Sequence, residues 1–404
     1  MEFKYDDSET AEELVRRTRA FMNEVVIPRE REDFLGGGDM TEELITELRA
    51  EAKDRCLFAP QIPEEYGGLG LDFSDVLPMF EQAGRSLLGP PALRVDAPDE
   101  GNIHTIEMVG TDEQKDEWLV PLVKGEYTSA FSMTEPAPGG GSDPKMIKTI
   151  AEKDGDEWII NGHKWWTSQG TDADILLVMA RTNETAHPYE GCSFFLVPTD
   201  TDGIEFPRNV PYLGDSWGIN HPEVIYDDVR IPEENLLGPK DEGFQIAQRR
   251  LGPARLTHCM RFSGMARRSI NVAKAYVSER EGFGENLSEK QSLRFKIARA
   301  ETRLHAVRTQ VRHAARQIAA GKEARIEVAM CKLFAANVVN EIIDDMLQLC
   351  GGNGMARDLP ISYFYEEVRG FRIFDGADEV HLRSIARESF EDVDESELEM
   401  VTRF

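Results

Sequence analysis

With 404 residues the chain is too long for one small core, and two or three domains are expected. Its 74 acidic residues outnumber 46 basic ones, and a formal charge of −28 leaves no basic face for nucleic-acid phosphates. No run approaches the roughly 18 uncharged apolar residues of a membrane span, and the acidic opening MEFKYDDSETAEELV lacks the basic and apolar regions of a signal peptide.

Residues 1–126 read as an N-terminal helical domain. Apolar residues recur at helical spacing over 12–26, 41–52, 73–83 and 113–122, with the loop IPEEYGGLG at 62–70 between them and Thr111 a candidate N-cap. Residues 127–238 read as a β domain. FSMTEPAPGGGSDP (131–144) is a glycine-rich loop. The stretch after it, as far as Ser168, reads as a three-stranded meander, because Asp154-Gly155 and Asn161-Gly162 are both two-residue hairpin signals. Strand alternation sends Trp165 and Trp166 to opposite faces, so that one serves the core and the other a ligand. Amides of a glycine-rich turn can face phosphate or ring oxygens, and an aromatic can lie against a ring. That suits a planar, anionic cofactor; a plain β core with a glycine loop fits the spacing equally well. Strands at 175–179 and 192–197 follow.

Residues 239–404 read as a C-terminal four-helix bundle, with runs at 253–279, 289–321 and 323–350 and a shorter helix at 378–392. Pro253 suits an opening helical turn. The last dozen residues, with Asp394, Glu395, Glu397 and Glu399, read as a solvated tail.

Asp375 follows an aromatic residue and precedes a glycine. A carboxylate there, beside apolar neighbours, can have a raised pKa and accept a proton. A turn aspartate or N-cap is the better reading of Asp375 in isolation, although Asp378 is the more natural cap. CGGNG (350–354) and REGFG (280–284) end long helices; three glycines in four suggest something large approaching the backbone. The eight histidines show no metal spacing, and no metal site is expected. Arg249 and Arg250 would ordinarily lie on a solvated helix face, but an anionic ligand must find its cations somewhere.

These segments together resemble the acyl-CoA dehydrogenase family along nearly the whole chain. The motifs, in family order, are IPEEYGGLGL, MTEP with GSD, NGHKWWTSQG, GGNG and IFDGADEVHLRSIAR. DAPDEGN, RLGPARLTHCMR and DGADEVHL are most similar to the branch that in animals is fused to a kinase-like domain. The resemblance implies an α+β multidomain fold: an N-terminal helical domain, a middle β-barrel and a C-terminal four-helix bundle, with FAD between barrel and bundle.

By motif position Trp166 would pack on the flavin, Ser168 near N5, and Thr134 with Met133 near the pyrimidine edge. Arg280 and Phe283 of a neighbouring subunit would meet the FAD pyrophosphate, with Gln291 near the adenine. Gln348, Gly351 and Gly352 would complete that site, with Ala377 and Glu379 also at the cofactor. Ser142 would touch the cofactor and the CoA moiety, in a loop about two residues longer than the family's EPGAGSD. Leu251, Arg255 and Gly376 would meet the substrate. Asp375 would be the base that takes the α-proton of the thioester while the β-hydride goes to flavin, and Arg255 would orient it. The usual base is glutamate. Asp375 is one methylene shorter, as in the kinase-fused branch, and the alternative family position for the base holds Ala254. The resemblance further implies an electron-transferring flavoprotein as acceptor, a homodimer or homotetramer, and a role in fatty-acid or branched-acid degradation. A flavin oxidase or monooxygenase on the same fold and a non-catalytic CoA-ligand scaffold are the alternatives.

Two expectations concern the surroundings. Five scattered cysteines without paired spacing suit a reducing cytoplasm. Only 14 of the 46 cations are lysine; such an acidic, lysine-poor surface suits a halophilic source, since at about 1 M salt a Debye length of roughly 3 Å screens self-repulsion.

Overall fold

The computed structural model describes residues 3–141, 143–214, 219–391, 393–394 and 396–401. Helix α1 (Glu9–Phe21) opens on the Ser8 side chain, which accepts from the Ala11 amide, and its helical path continues to Phe34. Helices α2 (Glu42–Asp54), α3 (Phe73–Ala83) and α4 (Asp99–Val109) follow in the N-terminal layer, with shorter helical stretches at Gly89–Leu93 and Val120–Lys124. Thr111 does cap the next helical turn, with a reciprocal bond from Gln114.

The β domain is one mixed eight-stranded sheet. Its strands are β1 (Ser129–Ser132), β2 (Ile150–Asp154), β3 (Glu157–Lys164), β4 (Ile175–Arg181), β5 (Cys192–Pro198), β6 (Ile204–Glu205), β7 (Val224–Pro232) and β8 (Leu236–Leu237). The order is β6-β7-β3-β2-β4-β5-β8, with β1 parallel to β4. β4 and β5 read as unbroken apolar runs because both their faces are buried. Leu176, Val178, Phe195 and Val197 face the core of the sheet, whereas Leu177, Met179, Phe194 and Leu196 join the large core shared with the helices.

Two local readings of this domain are corrected. Asp154-Gly155 closes the β2–β3 hairpin, but Asn161-Gly162 lies inside β3 at a register shift, and β3 runs on to pair with β7. A Cβ at Gly162 would sit 2.3 Å from Thr149 Oγ1, so this glycine serves a close approach and not a turn. The strand ends at Lys164, so alternation does not apply to the tryptophans. Trp166 is left-handed instead, at φ +56°.

The bundle comprises α5 (Gly243–Glu279), α6 (Gln291–Ala319), α7 (Arg325–Cys350), α8 (Pro360–Gly370) and α9 (Asp378–Ser389). α5 starts ten residues before Pro253, which therefore sits in the helix interior. Asp378 is the first residue of α9 and is buried, and Ala377 is the N-cap. Residues Ser396–Val401 of the expected tail form a helical turn. In the glycine cluster, the Cβ of a residue replacing Gly354 would strike the Leu347 carbonyl at 2.3 Å, whereas Gly351 and Gly352 face open space within the chain.

The N-terminal layer is locked to the bundle. α3 and α5 cross at Gly84 and Gly264, where added Cβ atoms would lie 1.9 Å from Arg261 O and 2.1 Å from Glu81 O. Beside this crossing, buried Arg308 donates from Nε to Glu81 at 2.9 Å. Arg94 and Asp99 pair at 2.8 Å, fully buried, and Asp99 also accepts from the Ser129 amide at 2.7 Å. That carboxylate ties α4 to β1, and a buried pair so fully bonded escapes most of the penalty of an unmet charge.

Candidate active site

The turn between α8 and α9 carries Asp375 at φ +54° and Gly376 at φ +99°. Two successive left-handed residues aim their carbonyls at the bundle, where side chains from three helices hold them. Arg255 of α5 donates from Nε to Asp375 O at 2.8 Å, and Lys332 of α7 donates from Nζ to Gly376 O at 2.6 Å. His381 of α9 reaches Asp375 O at 3.3 Å; burial pushes this imidazole down to about 4, so it is neutral and its Nε2 carries the proton. Aspartate tolerates the left-handed region better than most residues, and the three donors offset what strain remains.

The Asp375 side chain points inward and is 16% exposed. Its Oδ2 lies 3.0 Å from Nδ1 of His258, yet among the described residues it has no well-aligned donor. The expected rise in the Asp375 pKa does not occur. Burial pushes it upward, but His258, Arg250 and Arg255 outweigh burial and hold the carboxyl well below the usual range. Burial also pushes His258 down, so the cationic part of this stabilisation comes from the two arginines. Arg250 is not on a solvated face, unlike Arg249; it is buried, 4.0 Å from the centre of the Phe131 ring, with Nη2 bonded to Asn102 at 3.0 Å.

Phe131 leads from β1 into Met133 and Thr134, and the next loop is tied to them. The Trp165 amide donates to Thr134 O at 3.0 Å, and buried Lys164 donates to Met133 O at 2.8 Å and to Glu135 at 2.9 Å. Glu135 also accepts from Lys148, Thr149 and Gly140 amides, so one carboxylate gathers the glycine-rich loop around itself. Beyond it Trp166 presents a ring 40% exposed, and Ser168 Oγ lies 2.8 Å from His221 Nδ1. Among the described residues Thr167 Oγ1 and Gln169 Nε2 are buried without hydrogen-bond partners. A part-exposed indole, with unmatched polar atoms of Thr167 and Gln169 on the same loop, fits a planar ring that offers hydrogen-bond groups, as a flavin does.

The chain thus gathers Asp375, Gly376 and Arg255, with Leu251 one turn earlier on α5 and Ala377 and Glu379 at the start of α9. It keeps the other expected cofactor residues apart. Arg280 ends α5, Phe283 tips the hairpin after it at 96% exposure, and Gln291 opens α6. Gln348, Gly351 and Gly352 lie at the end of α7, brought to the same end of the bundle by an Asn353–Tyr276 contact of 3.5 Å. Twenty-five residues of helix separate Arg280 from Arg255, roughly 37 Å at 1.5 Å per residue. Ser142 lies outside the described residues. His258 and Lys332 are not among the residues expected at the site from the sequence. His258 was legible as a residue one turn beyond Arg255 on the same helical face.

Three family models match the chain in order: the acyl-CoA dehydrogenase N-terminal domain over residues 8–126, the middle domain over 130–229 and the C-terminal domain over 241–390. The chain belongs to the acyl-CoA dehydrogenase family. It is 42% identical over 349 residues, 85% of each chain, to "Probable acyl-CoA dehydrogenase FadE2" of Mycobacterium tuberculosis. It is 34% identical to acyl-CoA dehydrogenase family member 11 of Gallus gallus over 94% of this chain but 50% of that one, so it spans about half the length of that animal relative. Butyryl-CoA dehydrogenase from Megasphaera elsdenii matches in structure with TM-score 0.85 at 27% identity, covering 97% of this chain and 100% of the other. Acyl-CoA dehydrogenase from Geobacillus kaustophilus does so with TM-score 0.84 at 29%, covering 96% and 100%. The acyl-CoA dehydrogenase reaction is FAD-dependent and removes hydrogen across the Cα–Cβ bond of an acyl-CoA thioester.

Among the described residues no helix is long and apolar enough to cross a membrane, and no group of three or more potential metal-ligating side chains is found.

Proposed function

We propose that Asp375 is the base of this reaction. The observation that carries the reading is the inward carboxylate, held ionised by His258, buried Arg250 and half-buried Arg255 on a turn whose carbonyls are clamped from three helices. An ionised carboxylate is ready to accept a proton, but a low pKa makes it a weak base. The substrate must therefore be acidified. The Asp375 N–H meets no backbone carbonyl among the described residues, so it is free to donate to the thioester carbonyl as enolate charge develops. Leu251, Arg255 and Gly376 then border the acyl group. FAD, when bound, supplies the hydride acceptor; Trp166, Ser168, Thr134 and Met133 would hold its ring.

Arg280, Phe283, Gln291, Gln348, Gly351 and Gly352 are too far along the bundle to serve the same chain's Asp375. Their reading is as a cofactor surface given to a neighbouring subunit, in a homodimer or homotetramer. An electron-transferring flavoprotein as acceptor, three domains at 1–126, 127–238 and 239–404, and a salt-rich cytoplasm complete the reading; five free cysteines suit the last.

The test is Asp375→Asn, mixed anaerobically with acyl-CoA. The variant should stay yellow while bleaching by substrate is lost. Undiminished bleaching would refute the assignment.

A further inference from the structure

We propose that His258 is a positioning residue for the Asp375 carboxylate: its Nδ1–H, anchored one helical turn back on α5, also holds Oδ2 and aims the short acid at its proton. The inference rests on the reading of Asp375 as the base.

Nδ1 lies 2.9 Å from Ala254 O and 3.0 Å from Asp375 Oδ2. Both neighbours are acceptors, and an unprotonated nitrogen would be repelled by each, so the proton sits on Nδ1 and the tautomer is set. The N–H aligns with Ala254, and Oδ2 takes the off-axis share. Among the described residues no side chain offers that oxygen a well-aligned donor, His258 being the nearest, and a buried carboxylate oxygen without one is costly. The ring is itself held. It is 11% exposed and packs against Phe262, Phe371 and Phe374 at centroid distances of 5.4–5.8 Å. Phe371 and Phe374 belong to the turn that carries Asp375, so one turn packs the ring and presents the carboxylate. A short acid has less reach and therefore less tolerance in aim, which gives a side-chain tether a purpose beyond the backbone clamp.

The charged and titratable groups facing this pair come from several elements: Arg250, Arg255, Cys259 and Arg261 on α5, Glu100 on α4 and Glu367 on α8 beside Arg261, Lys332 on α7 and His381 on α9. None changes identity in the variants below, so a change in the pH profile between variants reports the tether.

The experiment is anaerobic single-turnover flavin reduction by acyl-CoA, followed against pH in FAD-loaded His258→Asn, His258→Gln and His258→Phe. The asparagine amide stands near Nδ1 and the glutamine amide near Nε2. The tether predicts that His258→Phe slows reduction about tenfold or more. It also predicts that the acid limb moves upward in that variant, with substrate affinity within about twofold, and that asparagine recovers most of the rate while glutamine does not. Equal rates and profiles for asparagine and glutamine, or a phenylalanine variant like the parent, would overturn it. Should the phenylalanine variant fail to load FAD, the asparagine–glutamine contrast still decides. If Asp375→Asn keeps full activity, the base assignment itself fails; if Asp375→Asn is inactive while the His258 variants match the parent, only the tether fails.

Discussion

The Lys332 ammonium donates to the Gly376 carbonyl at 2.6 Å from the interior of α7, 5.0 Å from the centre of the Phe371 ring. A fully buried lysine thus holds the residue next to the proposed base. Lys332→Met should leave FAD binding intact and slow single-turnover reduction by about 10- to 100-fold, the scale of an ångström-sized misplacement. The ammonium also titrates within reach. Burial lowers Lys332 to about 8, so its charge is present below that pH and lost as pH rises through it. The rate should therefore fall on an alkaline limb near 8 that disappears in Lys332→Met. An unchanged limb in the variant would remove Lys332 from the account.

Glu367 on α8 is raised to about 7 by burial, with Arg261 opposing. The folded chain therefore holds a proton there that the unfolded chain releases near the ordinary glutamate range. Between those two values the native state binds more protons, so this group makes stability fall as pH rises to about 7. Glu367→Gln should abolish that slope and stabilise the protein by about 1–2 kcal/mol at pH 8 relative to the parent, with little effect at pH 4. Denaturant melts of both proteins at the two pH values check the sign.

Phe283 stands almost wholly in solvent at the tip of the hairpin after α5, beside Arg280. An exposed large aromatic at the proposed cofactor surface suits a neighbouring subunit. Phe283→Asp should lower the flavin content of the purified protein and shift its mass in light scattering toward the single chain, while circular dichroism stays the same. Unaltered flavin content and mass would place the cofactor contact elsewhere.

A net charge of −28 should make stability depend on salt. The melting temperature is expected to rise by about 10 °C or more between low and multimolar KCl, where screening extends to about 3 Å. A flat melting temperature would reject the halophilic reading.

The order of helical, β and helical segments was legible because burial imposes periodicity on the residues that do it, as in the double-faced runs of β4 and β5. Local chemistry was legible too: Thr111 caps its helix, and Asp154-Gly155 turns its hairpin. The readings that failed were those in which neighbours distant in sequence overrule a local rule. Asn161-Gly162 looks like a turn, but Thr149 and β7 need a strand without a Cβ there. Pro253 looks like a helix start, but packing carries α5 ten residues further back. Asp375 looks like an acid raised by apolar neighbours, but His258, Arg250 and Arg255 of α5 reverse the shift.

By itself the sequence determined which residue types exist for this chemistry and where along the chain they stand: a short acid on a glycine turn, a tryptophan after a strand, an acidic surface. Only the tertiary structure decided that His258, Arg250, Arg255 and Lys332 converge on that acid, and that Arg280 stands a helix length away from it. The reason is physical: electrostatic and hydrogen-bond energies depend on distance in space, and helix packing sets those distances between residues that no local pattern links.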